Sequence, residues 1–466
     1  MHADSGAKTR RMSIKILTGV GVLVVVLGLV YAVMLARATA RLRQAYADLE
    51  TDGRPMRTAD IIPPDVPDVQ NSAVLYESAA LLLKAQPSPE ADQPDDRPGR
   101  QRDLLGYMGG RARAFVGETL DPNQHGELKQ LLAQEVVAGA LSAIEQGVQR
   151  PTCRFNHSYG NGMPMNSHLS DLRMLMSIVG AKACLEAEAG RPEAAWDLVQ
   201  VQVKLADGMR TEPLLMSQLV RMGLISQSCS TVQKLAGTTL PNSRQYERLM
   251  GLLDTLDDAR PLVLAGDGER LLYGEWLFTL PKKELYEELH QTSSDYWPEI
   301  VLRAQFFLVT FKPLFLGDHA AYLQLMRKQA QLLGQPYSVE RREGLEKEFA
   351  AVPRRYTFTQ MLAPAMARIK ELHCRLVAEV RVTRTGVALL RYRDAHGGFP
   401  DTLEALGLRD ISDPFTGKPL LYRAEDQGFV LYSVGEDLKD NGGSPKRAKQ
   451  RTDFDTVWRF PRRQAP

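Results

Sequence analysis

The stretch that decides the fold runs from Leu169 to Gly208: LSDLRMLMSIVGAKACLEAEAGRPEAAWDLVQVQVKLADG. Leu169, Leu172, Leu175, Met176, Val179, Ala183 and Ala187 recur at steps of three and four, which puts them on one side of an α-helix. The pattern stops at Gly190-Arg191-Pro192. Glycine accepts the left-handed conformation that closes a helix, and proline fits the first turn of the next one. Trp196, Val199, Val203 and Ala206 then line a second helix. Residues 169–188 and 193–208 are therefore expected to form an antiparallel helical hairpin, with Leu172, Leu175, Val179 and Cys184 facing Trp196, Val199 and Val203. The turn is similar to those of tetratricopeptide-type helix pairs, but no second copy follows at a period of about 34 residues, so a repeat array is not expected.

Downstream the same periodicity continues. A third helix is expected from about Glu212 to Leu235, with further helices near 243–258, 268–280, 295–312 and 320–333. Phe306, Phe307, Phe311 and Phe315 fall near helical spacing and read as core packing. Upstream, Asn71 to Lys84 is an amphipathic helix. Gln86 to Asp103, with four prolines and five acids, is a flexible linker.

The N-terminus adds a different element. Ile16 to Ala36, ILTGVGVLVVVLGLVYAVMLA, is 21 residues without a charge. At a rise of about 1.5 Å per residue it matches the ~30 Å hydrocarbon core of a bilayer. A buried core helix would show a polar face, and a signal-peptide core is usually shorter, although Ala38-Thr39-Ala40 reads as a small-residue cleavage site. The expected role is a single membrane anchor. Lys8, Arg10, Arg11 and Lys15 precede it, whereas Arg37, Arg41 and Arg43 follow, which favours a cytoplasmic N-terminus and an extracytoplasmic body. Residues 37–50, with charges all round, read as a solvated helical stalk, broken by the prolines of Ile61–Pro67.

The chain has 466 residues, room for roughly two to three domains. Its net charge of +2 argues against a dedicated nucleic-acid binder. The four cysteines, 153, 184, 229 and 374, include no CxxC pair. Cys184 and Cys229 read as small buried apolar residues, with a disulfide between them as the alternative in an oxidising compartment. Cys153, His157 and His168 share a Gly/Asn-rich loop whose spacing fits no standard zinc site. Gly266-Asp267-Gly268-Glu269-Arg270 lacks phosphate-loop spacing, and HExxH and GxSxG are absent.

The C-terminus changes character. Met361 to His396 is expected as one long helix ending at Gly397-Gly398-Phe399-Pro400, followed by strands Pro419 to Tyr422 and Gly428 to Val434 joined through Ala424-Glu425-Asp426-Gln427. Beyond them Asp437, Asp440, Asp453 and Asp455 flank a turn. Calcium takes about six to eight hard oxygen ligands, and these four acids supply the charge for one ion. The other reading is a solvated acidic turn with a basic tail at Lys446, Arg447, Lys449 and Arg451.

Two stretches carry a resemblance: ALLRYRDAHGGFP (388–400), and DPFTGKPLLY (413–422) with FVLYSVGED (429–437). Together they resemble the globular part of the major pseudopilin of type II secretion systems. There a helix ends in Tyr…Gly…Tyr-Pro, an Asp-Pro-x-Gly turn follows, and a Tyr-Ser-x-Gly strand leads into a calcium loop. The resemblance covers residues 357–466, about a quarter of the chain, and implies calcium at Asp437 and Asp455, with Asp440 and Asp453 as looser matches. The processed N-terminal motif of pseudopilins does not precede Ile16. The whole chain resembles a group of bacterial membrane-anchored envelope proteins of unknown function.

The expected fold is mainly α. It comprises a cytoplasmic N-terminus (1–15), a transmembrane helix (16–36), a stalk, short helix and linker (37–103), a helical-hairpin body (104–355) and a small pseudopilin-like α+β module (356–466). The expected function is a non-catalytic, membrane-anchored interaction or structural protein outside the bacterial inner membrane, with an envelope protein as partner. The alternatives are a secretion-apparatus subunit, or an enzyme whose site in the helical body leaves no local motif.

Overall fold

Residues 17–34 are all exposed. They belong to α1 (Ala3–Thr51), a single helix that is long and apolar enough to cross a membrane. The computed structural model describes residues 3–89, 103–117, 121–156, 159, 167–281, 283–285, 287, 311–362, 368–425, 427–444 and 455–461. Its chain divides into two compact units, each assembled from separate stretches of sequence.

The first unit comprises Met1–Arg57, Arg270–Gln329 and Gly344–Ala367. Here the structure corrects the solvated-stalk reading of residues 37–50. Cover begins at Leu35 and continues at Ala38, Leu42, Ala45 and Leu49, a 3-4-3-4 seam in which Ala45 and Leu49 are buried. The expected helix at 268–280 is instead a π-helical turn Glu269–Gly274 running into a short helix Glu275–Thr279. Tyr46 donates to Glu275 Oε2 at 2.8 Å, and Arg270, fully buried, pairs with Glu275 and donates to the Pro55 carbonyl.

The helix Lys312–Leu333 runs parallel to α1. Tyr31 meets Phe311 edge-on at 5.6 Å, Tyr46 meets His319 at 5.8 Å, Gln324 donates to Asp48 at 2.8 Å, and Arg327 pairs with Asp52 at 2.7 Å. Phe278 stacks on His319 at 4.1 Å and meets Phe315 and Phe358 edge-on, so the packing role expected of Phe315 is met within an aromatic core. Burial and the Arg270 charge hold His319 down at a pKa of about 4, so its ring is neutral in this core. Asp318 accepts from the Phe358 and Thr359 amides at 3.0 Å and so caps the turn Thr357–Leu362. Phe306 and Phe307, and most of the helix expected at 295–312, lie outside the described residues.

The second unit comprises Thr58–Glu269, Ala330–Glu343 and Arg368–Pro466. Its helices are α2 (Ser72–Lys84), α3 (Leu104–Val116), α4 (Pro122–Leu131), α5 (Glu135–Gly147), α6 (Ser167–Glu188), α7 (Pro192–Asp207), α8 (Leu215–Ala236), α9 (Ser243–Leu253) and α10 (Arg260–Gly268). The hairpin of α6 and α7 forms as expected, closed at Gly190, whose φ of 73° is the left-handed value. Leu172, Leu175, Val179 and Cys184 are buried, as are Trp196, Val199 and Val203. Cys184 and Cys229 are both buried, and no disulfide joins them.

The C-terminal helix α11 (Ile369–His396) ends at Gly397 with φ 77°. It packs on α8, where Gln233 donates to Thr383 at 2.9 Å, and against a three-stranded antiparallel sheet. The strands β1 (Leu421–Glu425), β2 (Gly428–Ser433) and β3 (Thr456–Phe460) lie in that order. Leu431 pairs with Tyr422 on one side and with Trp458 on the other. β2 is central and wholly buried, and β3 is a strand that the alternation of short apolar runs does not announce. Trp458 lies over Gly386, where any Cβ would collide with the ring. Val387, Leu389, Leu431 and Trp458 join the same apolar core as α6, α7 and α8. The sheet and the long helix thus share one apolar core with the helical hairpin.

Trp196 is 1% exposed and sits in that shared core. Trp196→Ala should cost about 3–5 kcal/mol, read as a shift of the denaturant midpoint for the full chain in detergent. A midpoint unchanged from wild type would mean that the ring packs on nothing.

Candidate interaction groove and acidic loop

Four helices of the second unit enclose a groove of about 940 Å³. α7 forms its floor, α5 and α9 flank it, and α6 contributes Lys182 and Glu186. Its lining mixes apolar side chains, among them Leu141, Val201 and Leu252, with opposed charges. Burial and the adjacent Asp197 push the Glu145 pKa up, while Lys182 pulls it down. Gln245 donates to Asp197 at 2.9 Å and fixes that carboxylate in place. Lys204 and Arg248 also line the groove and have no carboxylate partner among the described residues. Val148, Lys204 and Leu252 line as well a second cavity of about 450 Å³, so the two openings share a wall. The second one adds Tyr76, Cys153 and Arg210.

The Cys153 thiol is no nucleophile there, since burial pushes it up to about 12. Of its sequence neighbours, His157 lies outside the described residues. His168 is buried with its ring 4.4 Å from that of Phe155 and its Nε2 3.7 Å from Glu212 Oε2. Ser217 donates to the same Glu212 oxygen at 2.7 Å. In a relay the hydroxyl would face the imidazole, and here it faces the acid. None of the three side chains lines either opening. This cluster joins helices in the interior.

The acidic loop follows β2. Asp455, buried at the start of β3, accepts from the amides of Gly443 at 2.8 Å, Ser444 at 3.2 Å and Asn441 at 3.4 Å. Asp440 accepts from Gly442 N at 2.8 Å and from the Tyr432 hydroxyl at 2.9 Å. Asp437 accepts from Lys439 N at 3.1 Å and from the Asn441 side chain at 3.3 Å. Asn441 thus bridges Asp437 and Asp455, and the loop curls around the Asp455 carboxylate. Gly442 and Gly443 take φ values of 70° and 72°, which turns the loop amides inward. Burial and the neighbouring Asp440 push the Asp455 pKa up, against the three amides that pull it down. Asp453 lies outside the described residues. Among the described residues no group of three or more His, Cys, Asp or Glu side chains is placed to hold a metal ion.

No family model, no curated protein and no solved structure matches the chain. The groove residues Glu145, Asp197, Lys204 and Arg248 escape a reading of the sequence because they stand on three separate helices and form no local pattern. The one signal available is polar side chains on otherwise apolar helices, and any solvent-facing helix shows that.

Proposed function

We propose that the chain is a membrane-anchored interaction protein of the bacterial cell envelope, held in the inner membrane by residues 16–36 with its body outside the cytoplasm. The observation that carries this reading is the groove. Its lining sets the apolar side chains Leu141, Val201 and Leu252 among the carboxylates Glu145 and Asp197 and the cations Lys204 and Arg248. Such a lining suits a segment of another protein, which needs apolar contact for affinity and opposed charges for register. The interior cluster of His168, Glu212 and Ser217 supplies no competing catalytic arrangement. The long helix followed by an antiparallel sheet is compatible with the pseudopilin resemblance, and we read that part as a rigid mount for the groove rather than as a subunit of a fibre.

A photo-crosslinking residue in place of Val201, in the full chain in native membranes, tests this. A discrete adduct with another envelope protein is expected. Glu145→Lys and Lys204→Glu should each weaken it roughly tenfold, because a reversed charge in a half-buried groove costs more than ~1.4 kcal/mol. Absence of any adduct, or an adduct untouched by both reversals, would overturn the groove as the binding surface.

A second reading concerns the acidic loop. Burial is the main cause that raises the Asp455 pKa and the Asp440 charge adds to it, and like charges held together are relieved by a cation. We propose Ca2+ as that cation, with Asp453 joining Asp437, Asp440 and Asp455. Millimolar calcium should then raise the melting temperature of the full chain in detergent, and Asp440→Asn should abolish the rise. An equal rise with magnesium, or none with calcium, would leave the loop as a hydrogen-bonded turn.

A further inference from the structure

The depth at which the first unit meets α1 points to a second membrane contact. Tyr31 lies five residues inside the end of the apolar run at Ala36, roughly 7–8 Å along the helix. Its ring packs edge-on against Phe311 at 5.6 Å. From there Lys312–Leu333 runs outward alongside α1, as the Gln324–Asp48 and Arg327–Asp52 contacts show. Asp52 lies sixteen residues past Ala36, about 24 Å beyond the end of the apolar run. The first turn of Lys312–Leu333 is therefore level with the apolar end of α1, and the rest of that helix rises away from it.

The residues at that level suit a lipid boundary. Phe311, Leu314, Phe315 and Leu316 are only partly covered, and Lys312 is exposed. Aromatic rings favour the headgroup level, and a lysine there lays its aliphatic stem on hydrocarbon and its ammonium among phosphates. We propose that the first turn of Lys312–Leu333 lies in the outer membrane–water interface beside α1. The first unit is then seated directly on the lipid surface and not held away from it by a stalk. The occupant of this apolar face is the bilayer itself, because the face adjoins a helix position that is itself within the apolar run. The inference rests on reading residues 16–36 as a membrane span.

The test uses the full chain in phosphatidylcholine vesicles whose acyl chains are brominated near the headgroup end. Trp276 and Trp297 are replaced by Phe, and one tryptophan is introduced at a time. Trp196 and Trp458, buried in the second unit, remain as a constant background. Phe311→Trp and Lys312→Trp should each lose roughly half of the added emission, as expected for rings at the interface, and Lys328→Trp should lose none. Val25→Trp reports on the anchor. If Val25→Trp is quenched while the tryptophans at 311 and 312 are not, the anchor stands and the seating is wrong. If Val25→Trp is not quenched, the span itself is wrong and the seating falls with it. Lys312→Trp, at an exposed position, keeps the test decisive if Phe311→Trp fails to fold.

Discussion

Eighteen consecutive positions of α1, from Leu17 to Met34, are exposed, and among the described residues the ring contact of Tyr31 with Phe311 is the protein contact the side chains of this stretch show. Leu17 is 73% exposed and Val25 62%. Moving one such side chain out of water is worth about 1.5–3 kcal/mol, so the segment as a whole would lose tens of kcal/mol in an aqueous setting. A helix that satisfies its own backbone hydrogen bonds and presents only apolar side chains is the form of chain that hydrocarbon accepts. The same helix then continues unbroken to Thr51 and presents the seam Leu35, Ala38, Leu42, Ala45 and Leu49 to protein. One continuous helix thus carries an exposed apolar stretch followed by a protein-covered seam. The first unit takes its position from that helix, through the hydrogen bonds of Tyr46, Asp48 and Asp52.

Within the second unit, polar groups divide into two classes. Those in the interior are tied to each other: Glu212 takes the Ser217 hydroxyl and lies beside His168, and Gln202 donates to the Met176 carbonyl at 3.0 Å. They fix how helices meet, since a buried polar group without a partner costs about 1–3 kcal/mol. Those lining the groove are held but not consumed. Asp197 has one donor in Gln245, and Lys204 and Arg248 stay open to a partner. Cohesion belongs to the interior cluster, and the groove is the surface we propose for recognition.

The helical hairpin was legible in the sequence because two independent signals agree there, the 3-4 spacing of Leu169 to Ala187 and the Gly190-Arg191-Pro192 stop. The long C-terminal helix and its first two strands were legible in part, since the helix is continuous only from Ile369, not from Met361, and β1 runs through Ala424 and Glu425, which read as the turn. The seam of α1 was not. Ala38 and Ala45 are small, and Arg37, Arg41 and Arg43 stand between them, so composition reads as polar all round while spacing alone carries the packing. β3 was hidden because Thr456–Phe460 follows two aspartates that invite a metal reading. The single core shared by the hairpin and the sheet was invisible for a deeper reason. It depends on Trp458 finding Gly386, a contact across a long stretch of chain that no local window contains. The acidic loop was half legible: its residues were found, but the inward-turned amides that now hold Asp455 follow from the backbone conformation of Gly442 and Gly443.

The central claim is that α1 holds the intact chain in a bilayer, and alkaline carbonate extraction of membranes containing the full-length protein tests it most directly. The account predicts that the chain stays in the pellet, is released only by detergent, and keeps the sequence ahead of Ile16 at its N-terminus. Release by carbonate, or a recovered chain that begins after Ala40, would contradict it.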